Sequence, residues 1–191
     1  MPTPSSLVPG SSSLCILGID PGSRTTGYGV VALRDGRSTW LASGCIRLQG
    51  PDLARRLCSL LEGLETVLDT HDPDVVAVEQ VFMHRNADSA LKLGQARGAA
   101  VGLVARRKLP VYEYTPAQIK KTIVGRGNAA KAQIQHMICA MLGLDRAPQE
   151  DAADALAVAL CHAHMSHTLT RMRPARGLLQ ATRRTRRGRL R

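Results

Sequence analysis

Short apolar runs alternate with longer amphipathic stretches along this chain. Leu14-Cys-Ile-Leu-Gly-Ile-Asp20 is an apolar run that stops on an acid, the pattern of a buried strand. A turn at Pro21-Gly22-Ser23 leads to a second strand, Gly27 to Leu33. Arg34-Asp35-Gly36 carries a D-G turn signal, and Trp40 to Leu48 supplies a third strand, antiparallel to the second. Between Asp52 and Asp69, Leu53, Leu57, Leu60, Leu61, Leu64, Val67 and Leu68 recur at helical spacing, until Pro73 ends the helix. Asp74 to Glu79 is a fourth strand, again ending in an acid. Asn86 to Lys108 predicts a long helix capped by Asn86 or Asp88, and Val111 to Tyr114 a brief strand. Short helices follow over Pro116 to Ile123 and Ala129 to Leu142. A last helix starts near Pro148, in a first-turn position, and runs to about His164.

This order predicts an α/β fold, a mixed five-stranded sheet flanked by helices on the ribonuclease H-like plan. No internal repeat interrupts it. The expected organisation is a flexible N-terminal tail over residues 1–13, a ribonuclease H-like domain over 14–165, and an arginine-rich, disordered tail over 166–191.

At 191 residues and 44% hydrophobic content, the chain suits one soluble domain. It lacks the run of about 18 apolar residues that would cross a bilayer. Met1 to Ser13 shows neither the basic region nor the apolar region of a secretory signal. The five cysteines form no C-x-x-C pair, which points to the reducing cytoplasm and away from a zinc knuckle or disulfide framework. Charge is unevenly placed. The net is +11, but the nine arginines from Ser166 onward, with no acid among them, carry most of it. The remainder is nearly neutral. The tail thus reads either as a phosphate-binding arm or as a solvated appendage.

Four acids offer chemistry. Asp20 and Glu79 close strands, and Asp151 and Asp154 lie three apart near the start of the last helix, on one side of it. If that helix packs over the carboxyl ends of the strands, all four converge where open α/β sheets place their ligands. Converging carboxylates repel and are costly to bury, a cost that a hard divalent cation relieves. Oxygen donors alone favour Mg²⁺, with Mn²⁺ able to substitute, and two such ions would serve phosphodiester hydrolysis. An acid in a helix's first turn also satisfies the helix dipole without any catalytic task.

Three segments carry a resemblance. Ile16-Leu-Gly-Ile-Asp-Pro-Gly-Ser-Arg-Thr-Thr-Gly-Tyr-Gly-Val30 resembles the first strand pair of the RuvC family of Holliday-junction resolvases. Val78-Glu-Gln-Val-Phe-Met-His-Arg-Asn-Ala-Asp-Ser-Ala-Leu-Lys-Leu-Gly-Gln-Ala-Arg-Gly98 resembles it more closely, and Gln149-Glu-Asp-Ala-Ala-Asp-Ala-Leu-Ala157 is similar to its closing acidic motif. The resemblance implies a metal-dependent crossover junction endodeoxyribonuclease with Asp20, Glu79, Asp151 and Asp154 as its catalytic, metal-binding acids. It implies Phe82 as an aromatic acting on junction bases, Lys120 and Lys131 near the scissile phosphate, and Arg85 and Asn86 on the DNA backbone. It also implies a four-way junction as substrate and a branch-migration helicase as partner.

Ala90, Gly94, Gly98 and Gly102 recur every four residues along the long helix. Glycine inside a helix costs about 1 kcal/mol, so the stripe calls for close packing, on the chain's own sheet or on another helix. The resemblance supports a homodimer built on this face, whose two sites would nick opposed strands of a two-fold symmetric junction. A small ATPase or phosphotransferase, with Asp20-Pro-Gly22 as a phosphate loop, and a non-catalytic junction scaffold are the alternatives. Cys161, His162, His164 and His167 form no ligand pattern, since His162 and His164 point apart on a helix.

Overall fold

A computed structural model describes residues 13–80, 87–127 and 129–172. Five strands, β1 (Leu14–Asp20), β2 (Thr25–Arg34), β3 (Arg37–Arg47), β4 (Val75–Glu79) and β5 (Val111–Tyr114), form one sheet in the order β3-β2-β1-β4-β5. The first three are antiparallel, whereas β4 joins β1, and β5 joins β4, in parallel. The mixed five-stranded sheet expected from the element order is therefore present.

Helices cover both faces. α1 (Leu53–His71) and α2 (Ala87–Arg106) pack on one face over Leu17, Ile19, Val30, Val76 and Val78. α3 (Pro116–Val124), α4 (Lys131–Leu142) and α5 (Glu150–Met172) pack on the other, over Ile16, Val31, Val75 and Ala77. The split follows from the period of two: β1 sends Ile16 to one side and Leu17 and Ile19 to the other.

Element ends are set by local chemistry. Asp35 and Gly36 both take positive φ, 51° and 79°, as the turn between β2 and β3 demands. Asp52 caps α1 by accepting the Arg55 N–H at 2.8 Å, and Thr115 with Gln118 forms a capping box ahead of Pro116. Lys108 falls outside α2 because it takes a positive φ of 59°. Asn86, one of the two expected caps, lies outside the described residues. Asp88 is inside the helix and pairs with Lys92 at 2.6 Å. α4 starts at Lys131 rather than Ala129, with Gln133 bonded back to the Ala130 N–H.

The last helix differs most from its sequence expectation. It starts at Glu150, with Gln149 accepting the Ala153 N–H, so Pro148 precedes it rather than opening it. It then continues to Met172, eight residues past His164. Polar Ser166, His167 and Thr168 hide this turn from a hydrophobic count. They are held locally: Ser166 reaches His162, Thr168 bonds the His164 carbonyl, and His167 packs at the Gly36 turn.

Candidate active site

Two adjacent parallel strands deliver the first two acids. Ile19 pairs with Val78, so Asp20 and Glu79, one residue on, end their strands side by side. The other two acids come from α5, which lies unusually close to the sheet. A β-carbon on Gly18 would stand 2.7 Å from the Ala159 nitrogen, and one on Gly29 would stand 2.7 Å from Leu156 Cδ2. On Gly27, which pairs with Asp20, it would strike the Asp151 carbonyl. Buried Ala152, Ala153, Ala155 and Ala159 complete the close approach from the helix side. Glycines and alanines thus lower the first turn of α5 onto the strand ends.

The four acids meet electrostatically. Burial, then the charge of Glu79, its hydrogen bond, and the charges of Asp154 and Asp151 push Asp20 up to about 8. Burial also raises Glu79, against its hydrogen bond with Asp20 and the opposing pull of Lys120 and Lys131. Asp151 is raised by burial and by Asp154. The hydrogen bond between Asp20 and Glu79 requires a proton on one of the two carboxyls, and that proton relieves part of the repulsion in the metal-free site.

Lysines balance the rest. Lys131, at the start of α4, pairs with Asp154 at 2.9 Å and with Glu150. Burial opposes its charge, but these two bonds outweigh it and push the ammonium up to about 12. A cleft of about 230 Å³ brings Lys120 and Lys131 together with Glu79 and Asp154, between walls of Pro116, Ile119, Ile134 and Ala157. Both lysines therefore stand at the acids. Among the described residues no three His, Cys, Asp or Glu side chains close on one point as a ready coordination group.

Phe82, Arg85 and Asn86 lie outside the described residues. The stripe on α2 is accounted for differently. Gly94, Gly98 and Gly102 are exposed, and a β-carbon on any of them would meet none of the described residues within 4 Å. The chain's own sheet is therefore not what they pack against. Buried Ala96, Ala100, Leu103 and Val104 do that from the other side of the helix.

The histidine cluster divides as expected. His162 is buried, with the Tyr114 hydroxyl 2.7 Å from Nδ1 and the Ser166 hydroxyl 2.9 Å from Nε2, whereas His164 is exposed.

Two features escaped the sequence reading. Gly18, Gly27 and Gly29 share one sheet face, a signal available from their alternation and pairing. Arg97 on α2 donates from Nε to the Glu79 carbonyl at 3.4 Å and from Nη2 to Glu113 at 2.5 Å, and Glu113 also receives Gln80. This buttress under the end of β4 gave no local sequence signal.

Comparison with known proteins gives consistent results. A family profile described as crossover junction endodeoxyribonuclease RuvC matches residues 16–162. A protein of that name from Hahella chejuensis is 55% identical over 159 residues, covering 83% of this chain and 92% of the relative. Its namesake from Idiomarina loihiensis is 52% identical over 181 residues, covering 92% and 98%. Among solved structures, T. thermophilus RuvC in complex with Holliday junction substrate has a TM-score of 0.76 and 35% identity, over 82% of this chain and 97% of that one.

Proposed function

The chain belongs to the RuvC family of crossover junction endodeoxyribonucleases and resolves Holliday junctions by phosphodiester hydrolysis; we propose that Asp20, Glu79, Asp151 and Asp154 carry that hydrolysis around divalent cations. The observation behind the assignment is the convergence of carboxylates at the ends of two adjacent strands: Asp20 and Glu79 close β1 and β4, the Asp151 carbonyl sits over Gly27, the partner of Asp20, and Asp154 lines one cleft with Glu79.

The donor set fits a hard cation. It consists of carboxylate oxygens, and burial with mutual repulsion raises the proton affinity of Asp20, Glu79 and Asp151, a cost that a cation would relieve; Mg²⁺ or Mn²⁺ is the matching class. All four acids would hold the metal, in our reading as two ions. Bound there, the cations would supply the positive charge that favours an attacking water and a departing oxygen. The chain's own residues do the rest. Asp20 and Glu79, side by side at neighbouring strand ends, would both give up the proton between them and present their oxygens to the cation. Lys120 and Lys131 draw a phosphate into the cleft and offset its charge. The apolar wall of Ile119, Ile134 and Ala157 keeps the cleft's dielectric low, which strengthens these interactions.

Phe82 acting on junction bases, with Arg85 and Asn86 on the backbone, extends the reading to the segment that joins β4 to α2. The stripe of Ala90, Gly94, Gly98 and Gly102, whose three glycines are exposed, is read as the face of a homodimer. Two protomers related by a two-fold axis would then cut opposed strands. A branch-migration helicase as partner and a cytoplasmic location complete the proposal. Among the described residues no helix is long and apolar enough to cross a membrane.

A labelled four-way junction, with its linear duplex control, tests the acids. Asp20→Asn and Glu79→Gln should each abolish Mg²⁺-dependent nicking while junction binding persists. Full nicking by both variants would remove them from the mechanism.

A further inference from the structure

The arginines of the folded domain are used unevenly. At the end of α2 they are matched to acids: Arg106 pairs with Glu65 at 2.8 Å and Arg107 with Asp69 at 2.7 Å. Around the start of β2 and the end of β3 they are not. Among the described residues Arg24, Arg47 and Arg55 make no ion pair, and all three are exposed. Asp52, three residues before Arg55, is committed to capping α1.

Backbone pairing gathers these residues. Leu48, next to Arg47, donates its N–H to the Arg24 carbonyl at 2.9 Å, and Thr25 pairs directly with Arg47. The Arg56 guanidinium bonds the Ser23 carbonyl and so ties the start of α1, where Arg55 projects, to the same loop.

The group also borders the acids. Asp20 pairs with Gly27, Gly27 pairs with Cys45, and Arg47 lies two residues beyond Cys45 on the same face of β3. Cys45 feels the charges of Asp151, Arg47 and Asp20 together. Two strand spacings and one two-residue step place Arg47 about 12 Å from Asp20, a few phosphates along a DNA strand. On the opposite flank of the acids stand Lys120 and Lys131.

We propose that Arg24 and Arg47, flanked by Arg55, form a phosphate-binding ridge that holds the DNA strand on the β3 side of the catalytic acids. The acids thereby lie between two cationic supports, lysines on the β5 side and arginines on the β3 side. Guanidinium suits this task because it grips a phosphate through two donors at once. Three exposed arginines without acidic partners repel one another in the free protein, and DNA phosphates relieve that repulsion. The inference rests on the nuclease reading, since it takes the strand to cross the acids.

The test uses the full chain and a fluorescent four-way junction bound in metal-free buffer over a range of KCl. Each phosphate contact adds about 0.9 to the slope of log affinity against log salt, so R24Q/R47Q should lower the slope by about 2 and the affinity by about 10- to 100-fold near 0.1 M salt. R24K/R47K should keep the parent slope, which separates charge from folding. R106Q/R107Q, whose arginines are already paired, should change neither quantity. A parent-like slope and affinity in R24Q/R47Q, or an equal loss in R106Q/R107Q or R24K/R47K, would overturn the ridge. Failure of the nuclease reading has a different sign: the parent would bind the junction without nicking it in Mg²⁺.

Discussion

The carbonyl of Asp151 lies directly over Gly27, with no room between them for a β-carbon. Gly27 pairs with Asp20, so this contact fixes the height of the α5 acids above the β1 acid. Gly27→Ala should push the first turn of α5 outward. Overpacking of this kind costs about 1–3 kcal/mol, and the lost alignment should slow junction cleavage by at least about 100-fold. Thermal melting and single-turnover nicking measure the two effects; parent-like nicking would show that the helix height is not critical.

Asp20 should make stability depend on pH in metal-free buffer. Its carboxyl titrates near 8 in the folded protein, against about 3.9 in an unfolded chain. The folded state therefore holds this proton more tightly. The contribution is complete below the unfolded value and is lost as pH rises through about 8. Asp20→Asn, which cannot titrate, should melt at a more constant temperature between about pH 5 and about pH 8 while the parent declines. Added Mg²⁺ should restore the parent at the upper end. Equal declines in parent and variant would remove Asp20 as the source.

Arg97 should act on cleavage through Glu79 without touching DNA. Its guanidinium bonds the Glu79 carbonyl and Glu113 from the α2 side of the sheet, away from the cleft. Arg97→Gln should slow single-turnover nicking about 10-fold, or about 1.4 kcal/mol in the barrier. Junction affinity should stay unchanged, and Arg97→Lys should recover only part of the rate because it lacks the forked donor. An equal loss of affinity would assign Arg97 to binding instead.

The open glycine face of α2 gives a separable prediction about assembly. Gly98→Leu places a side chain where no described residue of the protomer stands within 4 Å. Helix propensity should then gain up to about 1 kcal/mol in the isolated chain, while the proposed dimer should weaken. Sedimentation across a concentration series reads the second effect directly; an unchanged association constant would move the dimer face elsewhere.

His162 should oppose Asp20 in its pH behaviour. Burial lowers the imidazole below its ordinary range, so the folded state resists the proton that the unfolded chain accepts below about 6.5. Its contribution is present above that value and is lost as pH falls. His162→Gln should cost about 1–3 kcal/mol near neutral pH, through the unpaired Tyr114 and Ser166 hydroxyls, and less near about pH 5. A pH-independent penalty would mean that the ring serves only by packing.

What the chain revealed in advance, and what it concealed, divides along physical lines. Both strand-ending acids were legible, because Ile16 to Ile19 and Val75 to Val78 are apolar up to the acid and bury on both faces. The shared side of Asp151 and Asp154 followed from helical pitch. The far end of α5 was hidden because Ser166, His167 and Thr168 hold it through local hydrogen bonds and one turn contact, which hydrophobic periodicity does not register. The double engagement of Lys131 with Glu150 and Asp154 depends on how α4 meets α5, a tertiary fact. The same holds for the Arg97 buttress. The contrast between paired and unpaired arginines required every acid to be placed first.

The bed of Gly18, Gly27 and Gly29 beneath α5 works as a ruler cut in units of main chain. The interval between Asp151 and Asp154 is one step of helical pitch, and their elevation above Asp20 is the thickness of touching peptide groups. At Gly27 and Gly18 the contact is with the carbonyls of Asp151 and Ala155, so no side chain sets it there. Substitutions deeper in either core would therefore erode melting temperature well before they rescaled the cutting centre, so long as the three glycines and the alanines facing them stay small.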